Sequence, residues 1–449
     1  MLSAQAPLRV LLVASNLKRR SGMVLHVRDL ALALLRAGQT PIVYSPRRGA
    51  IADELRRASV AVPESLDQIG PAPDIIHGHT QLETMVAALT FPATPVVATC
   101  HGFASWQNAA PPQFPRLRRY IAVDGACADR LILECAVPEP SLSLQLNFVD
   151  LRRFPLRAPL PEKPLRAVVF SNEQRYPHVD LIAAVCQARG VVLEFLGGRE
   201  HQTDDPGAAL QRYDLAFAKG RSALEALAAG LSVVLSGPEG LGPMVTSANF
   251  DVLRPLNFGL RNLRSPVEAA TVHVALDAFD ARDARLVSER LRRDADLDRA
   301  VEQMVALYRD VVAEYRRTAE EPERELQIAG TYLAVVQEMY RERIREETAL
   351  AAREARARLE QRSADSRQNL RARVAKARQS ARRSREREQQ MSQAVDALQR
   401  AVTELGREAH EQRLALEQAQ ASAAELRSTL ERESRRGLLS RLWRRVATR

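Results

Sequence analysis

Over roughly the first 280 residues, short apolar runs alternate with amphipathic stretches of helical period. Residues 8–14 read as a buried strand, 23–37 as a helix stopped by Gly38, and 41–44 as a second strand. Strand signals recur at 74–77, 95–99, 120–123, 165–170, 191–195 and 215–218. Alternating strands and helices predict an α/β fold with parallel sheets covered on both faces. Ligands in such sheets sit outside the carboxyl ends of the strands. Most residues of chemical interest fall at those ends: 16–22, His77, His79, His101, Gly102, 171–178, 197–199, and Lys219 to Arg221. The run 237–263 is so rich in Gly, Pro and Asn that an irregular segment bordering the cleft is expected there.

The densest chemistry lies in YDLAFAKGRSALEALAAGLSVVL, residues 213–235. A short strand leads through Lys219, Gly220 and Arg221 into a small-residue helix that carries Glu225 and stops at Gly230. A helix start offers unpaired N–H donors and partial positive charge, which suits phosphate. Gly220 permits close backbone approach, and the two cations add charge-assisted bonds. Glu225 would repel a phosphate, so hydroxyl groups of a sugar are its expected partners. Phosphate plus sugar hydroxyls predicts a nucleotide or nucleotide-sugar site.

Five segments, in order, resemble GT-B fold glycosyltransferases of the large family 4 type: VLLVASNLKRRSGMVLHVRDLALALLRAG, DIIHGHT, VVATCHGF, LNFVDLRRFP and ALEALAAGLSVVL. The resemblance spans about residues 8–315 and implies two Rossmann-like domains. Expected boundaries are 1–155 for an acceptor-side domain and 156–318 for a nucleotide-sugar-binding domain with closing helices. It also implies a retaining transfer that needs no divalent ion or other cofactor, with a nucleoside-diphosphate sugar as donor substrate. His101 lies where the family places a residue near the reacting sugar, and Gly22 where the family's diphosphate loop enters its helix. The chain departs from the family in three places. Phe217 stands where a first glutamate usually touches the transferred sugar, and Phe148 replaces a usual glycine. The family's Arg and Lys pair after the first strand of the second domain is missing, leaving Arg175 in SNEQRYPH as a stand-in. His101 and Lys219 are thus the candidate catalytic residues. Gly22, Arg175, Gly220, Arg221 and Glu225 are the candidate donor contacts.

The net charge of +10 is unevenly spread. Residues 341–449 carry 27 Lys or Arg and 16 Asp or Glu, so the tail is strongly basic and the body nearly neutral. The tail is rich in Ala, Arg, Glu and Gln, which favours long helix. A basic helical extension is expected over 319–390 and a coiled coil over 391–435. One seam of that coil is Val395, Val402, Ala409, Leu416, Ala423 and Leu430; the other is Leu398, Leu405, Gln412, Ala419 and Leu426. A homo-oligomer, most simply a parallel dimer, is the expected consequence. The final segment, 436–449, gathers Leu438, Leu439, Leu442, Trp443 and Val446 among arginines, a composition suited to an anionic membrane surface. Few aromatics interleave the basic residues, which argues against nucleic acid.

Four cysteines without metal-ligand spacing read as reduced thiols. With the first strand close to Met1 and no long apolar run, the expected location is the cytoplasm, with peripheral contact at the inner face of the membrane. His77 and His79 have a spacing that could suit a metal, but no third ligand is evident, and no metal site is expected. The expected activity is sugar transfer onto a glycan or lipid-linked acceptor. Two other classes stay open: a non-catalytic GT-B scaffold working through its coiled coil, and a nucleotide-sugar epimerase.

Overall fold

Two parallel sheets organise the body of the protein, and both follow the expected strand spacing closely. The computed structural model describes residues 6–446 apart from 19, 173–177, 199–200, 202, 319–320 and 362–366. The first sheet contains β1 (Arg9–Val13), β2 (Thr40–Tyr44), β3 (Ile75–Gly78), β4 (Val96–Cys100), β5 (Leu117–Ala122) and β6 (Leu142–Leu144). Its order is β2-β1-β3-β4-β5-β6, and every pairing is parallel. The second contains β7 (Arg166–Phe170), β8 (Val192–Leu196), β9 (Leu215–Ala218), β10 (Ser232–Gly237) and β11 (Gly240–Met244) in the order β11-β10-β9-β7-β8. There only the edge strand β11 runs antiparallel.

Strand order reverses between β1 and β3 in the first sheet and between β7 and β9 in the second. Such switch points open a crevice at the carboxyl ends of the flanking strands. The loop after β1 feeds the helix Gly22–Arg36, whose start is fixed by the Ser21 hydroxyl accepting from the Val24 N–H. Its inward face, Val24, Val27, Leu30, Ala31 and Leu34, is buried against β1 residues Val10 and Leu12. The loop after β9 feeds the helix Gly220–Ala229, which ends at Gly230 in the left-handed region, φ 95°. Seven of its ten residues are buried, so its short alanine-rich sequence allows close packing on both neighbours.

The chain crosses between the domains twice at one place. The Val149 N–H donates to the Ala295 carbonyl at 2.8 Å, and the Leu297 N–H donates to the Val149 carbonyl at 3.2 Å. After the second crossing, the helix Leu297–Tyr315 packs Val301, Met304, Tyr308 and Val311 into the first domain's core. The last helix expected for the second domain therefore completes the first.

The expectation of irregular structure over 237–263 is corrected. That stretch holds β11, the short helix Phe250–Leu253 and single helical turns. Its glycines mark close packing: a Cβ at Gly242 would lie 2.6 Å from the Asn262 carbonyl oxygen and 2.8 Å from Leu235 Cβ. The edge strand β6 carries too little apolar pattern to stand out in the sequence.

The four cysteines are free thiols. No helix among the described residues is long and apolar enough to cross a membrane.

Residues from 320 onward form a separate unit. It consists of the helices Pro322–Gln361 and Arg367–Val446, which pack on one another. Arg413 pairs with Glu323, and Thr348 and Ser384 hydroxyls lie 3.2 Å apart, so the helices run antiparallel. Val395, Leu398 and Val402 line a groove shared with Leu333, Val336, Tyr340 and Ile344. The first turns of the coiled-coil seam thus have a partner in the same chain. Past Arg413 the longer helix outruns the shorter one. The backbone is helical to Val446, while the side chains of the apolar and basic cluster at 436–449 lie outside the described residues.

Candidate functional site

A buried arginine ties the helix start at the carboxyl end of β9 to the first domain's Gly22–Arg36 helix. Arg221, in the first turn after β9, bonds Glu225 Oε1 through Nε at 2.7 Å and reaches Asp29 on the Gly22–Arg36 helix with Nη2. Their side chains are 11%, 7% and 2% exposed, in the order Arg221, Glu225, Asp29. Burial opposes the charge on Arg221, but Asp29 and Glu225 outweigh it and hold the guanidinium charged well above its ordinary range. Burial also pushes the Glu225 carboxyl up, with Arg221 pulling against that rise. Asp29 is further held by Arg28, at 2.5 Å and 2.8 Å. Asp29 was not singled out in the sequence, where it reads as one polar position on an amphipathic helix.

Lys219 caps the same helix in extended conformation and donates to both oxygens of Glu239, at 2.8 and 2.7 Å. Glu239 sits in the β10–β11 turn, so that turn folds over the start of the helix. Gly220 adopts φ 56°, and its N–H donates to the Phe258 carbonyl at 2.9 Å. Lys219, Gly220, Arg221 and Glu225 therefore do converge on one helix start, with their polar groups engaged by protein partners. Gly22 opens the helix after β1, and a Cβ there would meet nothing within 4 Å. Arg175 lies outside the described residues. Phe217 is fully buried in β9, packed with Val169 and Val234 rather than turned to the cleft.

Further polar contacts tie the domains beside this point. Asn172 Nδ2 donates to the Arg20 carbonyl at 3.2 Å, and Arg20 pairs with Asp204 at 2.7 Å. Asn257, in the left-handed region at φ 50°, accepts from the Asn147 N–H at 3.2 Å and donates to the Val123 carbonyl. Arg254 donates to the Asn147 carbonyl at 2.9 Å and to Asp294 at 2.5 Å. Of these, Arg254 and Asn257 lie in the run read as irregular, where no sequence periodicity pointed to them, while Arg20 and Asn172 fall at the strand ends that the sequence did mark.

On the first domain, four histidines gather where β3 and β4 end. His101 Nε2 and His79 Nδ1 share a hydrogen bond of 2.8 Å. His77 bonds Tyr308 and Thr99 through its two ring nitrogens, both at 2.6 Å. His26, from the Gly22–Arg36 helix, completes the group, its ring 4.4 Å from that of Phe148. Burial lowers all four: His77 and His101 to about 3, His26 and His79 well below the ordinary value. All are neutral at pH 7, so His101 offers a hydrogen bond rather than a charge. His26 went unnoticed in the sequence because a lone histidine on an apolar helix face carries no motif.

Residues 20–153 match Glycosyltransferase Family 4. No curated protein matches the chain by sequence. Similar solved structures include a glycosyltransferase from Rickettsia africae, at 13% identity over 69% of this chain and 99% of that one, TM-score 0.48. Another is Anabaena HepE in complex with UDP and glucose, at 14% identity over 68% and 100%, TM-score 0.48. A third, from Listeria monocytogenes, is assigned as a UDP-N-acetylglucosamine 2-epimerase, at 14% identity over 71% and 99%, TM-score 0.43. The body of this chain is a GT-B fold of two Rossmann-like domains, and its residues 20–153 are similar to Glycosyltransferase Family 4.

Proposed function

We propose that the protein transfers a sugar from a nucleoside-diphosphate sugar to a glycan or lipid-linked acceptor in surface glycan or glycoconjugate assembly, with retention of anomeric configuration. The observation that carries this reading is the Arg221 bridge, which holds the helix start after β9, with Lys219 and Arg221, against the first domain's Gly22–Arg36 helix. In this reading the donor lies on the second domain, with its diphosphate at Lys219, Gly220 and Arg221. The acceptor enters beside His101. Charge builds on the departing diphosphate as the glycosidic bond breaks, and Lys219 and Arg221 neutralise it without a metal at that place. Donor phosphate would compete with Glu239 for Lys219 and so free the β10–β11 turn. Closure of the two domains over the donor excludes water and limits hydrolysis.

A panel of nucleotide sugars tested by thermal shift is the direct check. A specific donor at a hundredfold excess over Kd should stabilise the protein by roughly 2.7 kcal/mol. Lys219→Ala is expected to lower turnover by about 100-fold while changing donor affinity far less, since the leaving charge develops in the transition state. Glu225→Ala should weaken donor binding without unfolding, because Arg221 keeps Asp29. No stabilisation by any uridine, guanosine, adenosine or thymidine diphosphate sugar would reject the donor site.

A second reading is supported by Phe217, whose burial removes a usual sugar contact. In it the body is a non-catalytic scaffold, and the helical unit is the working part. Donor binding without transfer or hydrolysis would favour it.

Beyond Arg413 the seven-residue sequence pattern at positions 416, 419, 423, 426 and 430 also supports oligomer formation. The full chain should scatter light as a dimer or larger, and a chain ending at Arg317 as a monomer. Monomeric mass for both would end that proposal.

A further inference from the structure

Four of the chain's eight histidines meet at the ends of β3 and β4. Three of them, His26, His79 and His101, present ring nitrogens that all lie within 4.8 Å of one another. The ring centroids are 5.7 Å apart for His26 and His79, 4.8 Å for His26 and His101, and 5.1 Å for His79 and His101. Nitrogens held at about 2.1 Å around a tetrahedral ion lie roughly 3.4 Å apart, with ring centroids about 5 Å apart. The triangle of rings already has that size.

Two buried ring nitrogens, His26 Nδ1 and His79 Nε2, have no hydrogen-bond partner among the described residues. A buried polar atom left this way is costly and points to a missing ligand. The surroundings are those of a supported site. His77 stacks on His79 at 4.2 Å and is itself fixed by Tyr308 and Thr99. Asn147 bonds the His26 ring, and Phe148 covers its face. Such second contacts orient imidazole ligands. Arg221 bears on His26, but its charge is paired with Asp29 and Glu225.

We propose that His26, His79 and His101 hold one divalent transition-metal ion of the zinc class, with a fourth position open on the His101 side. Three imidazoles select zinc, cobalt, nickel or copper over magnesium and calcium, which want oxygen ligands. Neutral imidazole is the ligating form, and burial keeps these rings neutral. His101 is the least buried of the three, so the open position faces the route by which an oxyanion or sugar hydroxyl would arrive. Phe148, in place of the family's glycine, acquires a role as the cover of His26. The ion would sit on the first domain, apart from Lys219 and Arg221, so the proposal stands whether or not the protein transfers sugar.

The test uses the full chain stripped with EDTA, dialysed, and titrated with zinc chloride by calorimetry. One zinc per chain is expected, with a Kd in the submicromolar range, and a rise in melting temperature that EDTA reverses. His26→Gln and His79→Gln should each weaken binding by at least about 100-fold, while His273→Gln, on the surface, should not change it. Should either buried variant fail to fold, Co(II) loading of the parent chain decides. Tetrahedral visible bands without a thiolate charge-transfer band support the three histidines, and a thiolate band overturns them. No binding by the parent chain, or binding indifferent to His26→Gln and His79→Gln in folded protein, also overturns the site.

Discussion

Lowering the pH from 7 to 5 in the presence of EDTA is expected to cost the folded protein several kcal/mol, well before its carboxylates titrate. His77 and His101 titrate near 3 in the folded chain, against about 6.5 when unfolded. Between those values the unfolded chain binds more protons, so stability rises with pH across the window and falls as pH drops through it. At pH 5 each of these two histidines costs about 2 kcal/mol, since one unit is worth about 1.36 kcal/mol. His26 and His79 are shifted in the same direction, and mutual repulsion prevents the group from charging together. Glu225 works the other way, its raised carboxyl taking a proton in the folded state as pH falls. One opposing group does not offset four. Glu239 is held below the ordinary carboxylate range and contributes only at lower pH. Melting temperatures from pH 7.5 to 5 should therefore fall by several degrees. A chain carrying His79→Gln and His101→Gln should be less stable at pH 7 and lose less on acidification. A flat profile for the parent chain would mean that these rings are not neutral and buried.

The same histidines show where the sequence stops being informative. His77, His79 and His101 stand out because they follow strands, and strand ends are where ligands bind. The missing third ligand, His26, comes from a helix some fifty residues earlier, and only the packing of that helix on β1 and β3 brings it in. Strand positions were legible because both sheets are buried on two faces, which turns each strand into an apolar run. β6 and β11 were not, since each is an edge strand with little apolar pattern. The second candidate region divides in the same way. Lys219, Gly220, Arg221 and Glu225 form a local pattern that one helix start explains. Asp29, which decides what Arg221 does, lies 192 positions away. Glu239 likewise changes the meaning of Lys219 from a free cation to one already engaged, through a turn whose glycines looked like loop. Local motifs name the residues, and long-range pairing sets their state.

Removing the Arg221 side chain should be the most damaging single change to the charged bridge. Arg221→Ala leaves the Glu225 carboxyl 7% exposed with its hydrogen-bonded partner gone, while Asp29 keeps Arg28. Breaking one member of a buried ion pair costs about 3–5 kcal/mol, because the remaining charge is stranded in a poor solvent. Arg221→Lys keeps the charge but not the fork that reaches two carboxylates at once, so a smaller loss is expected. Adding Glu225→Gln to Arg221→Ala removes the stranded charge and should recover part of the stability. The double-mutant cycle then measures the coupling between the two residues. The pH dependence gives an independent sign. In Arg221→Ala the Glu225 carboxyl rises further, so the folded variant gains a proton as pH falls, and its deficit relative to the parent should narrow between pH 7 and 5. Urea unfolding at both pH values reads each outcome. The bridge also joins the domains, so Arg221→Ala should loosen their closure, seen as a larger radius of gyration by solution scattering of residues 1–317. A variant within about 1 kcal/mol of the parent, with unchanged pH dependence, would place Glu225 in solvent and remove the bridge as the element that sets the two sheets face to face.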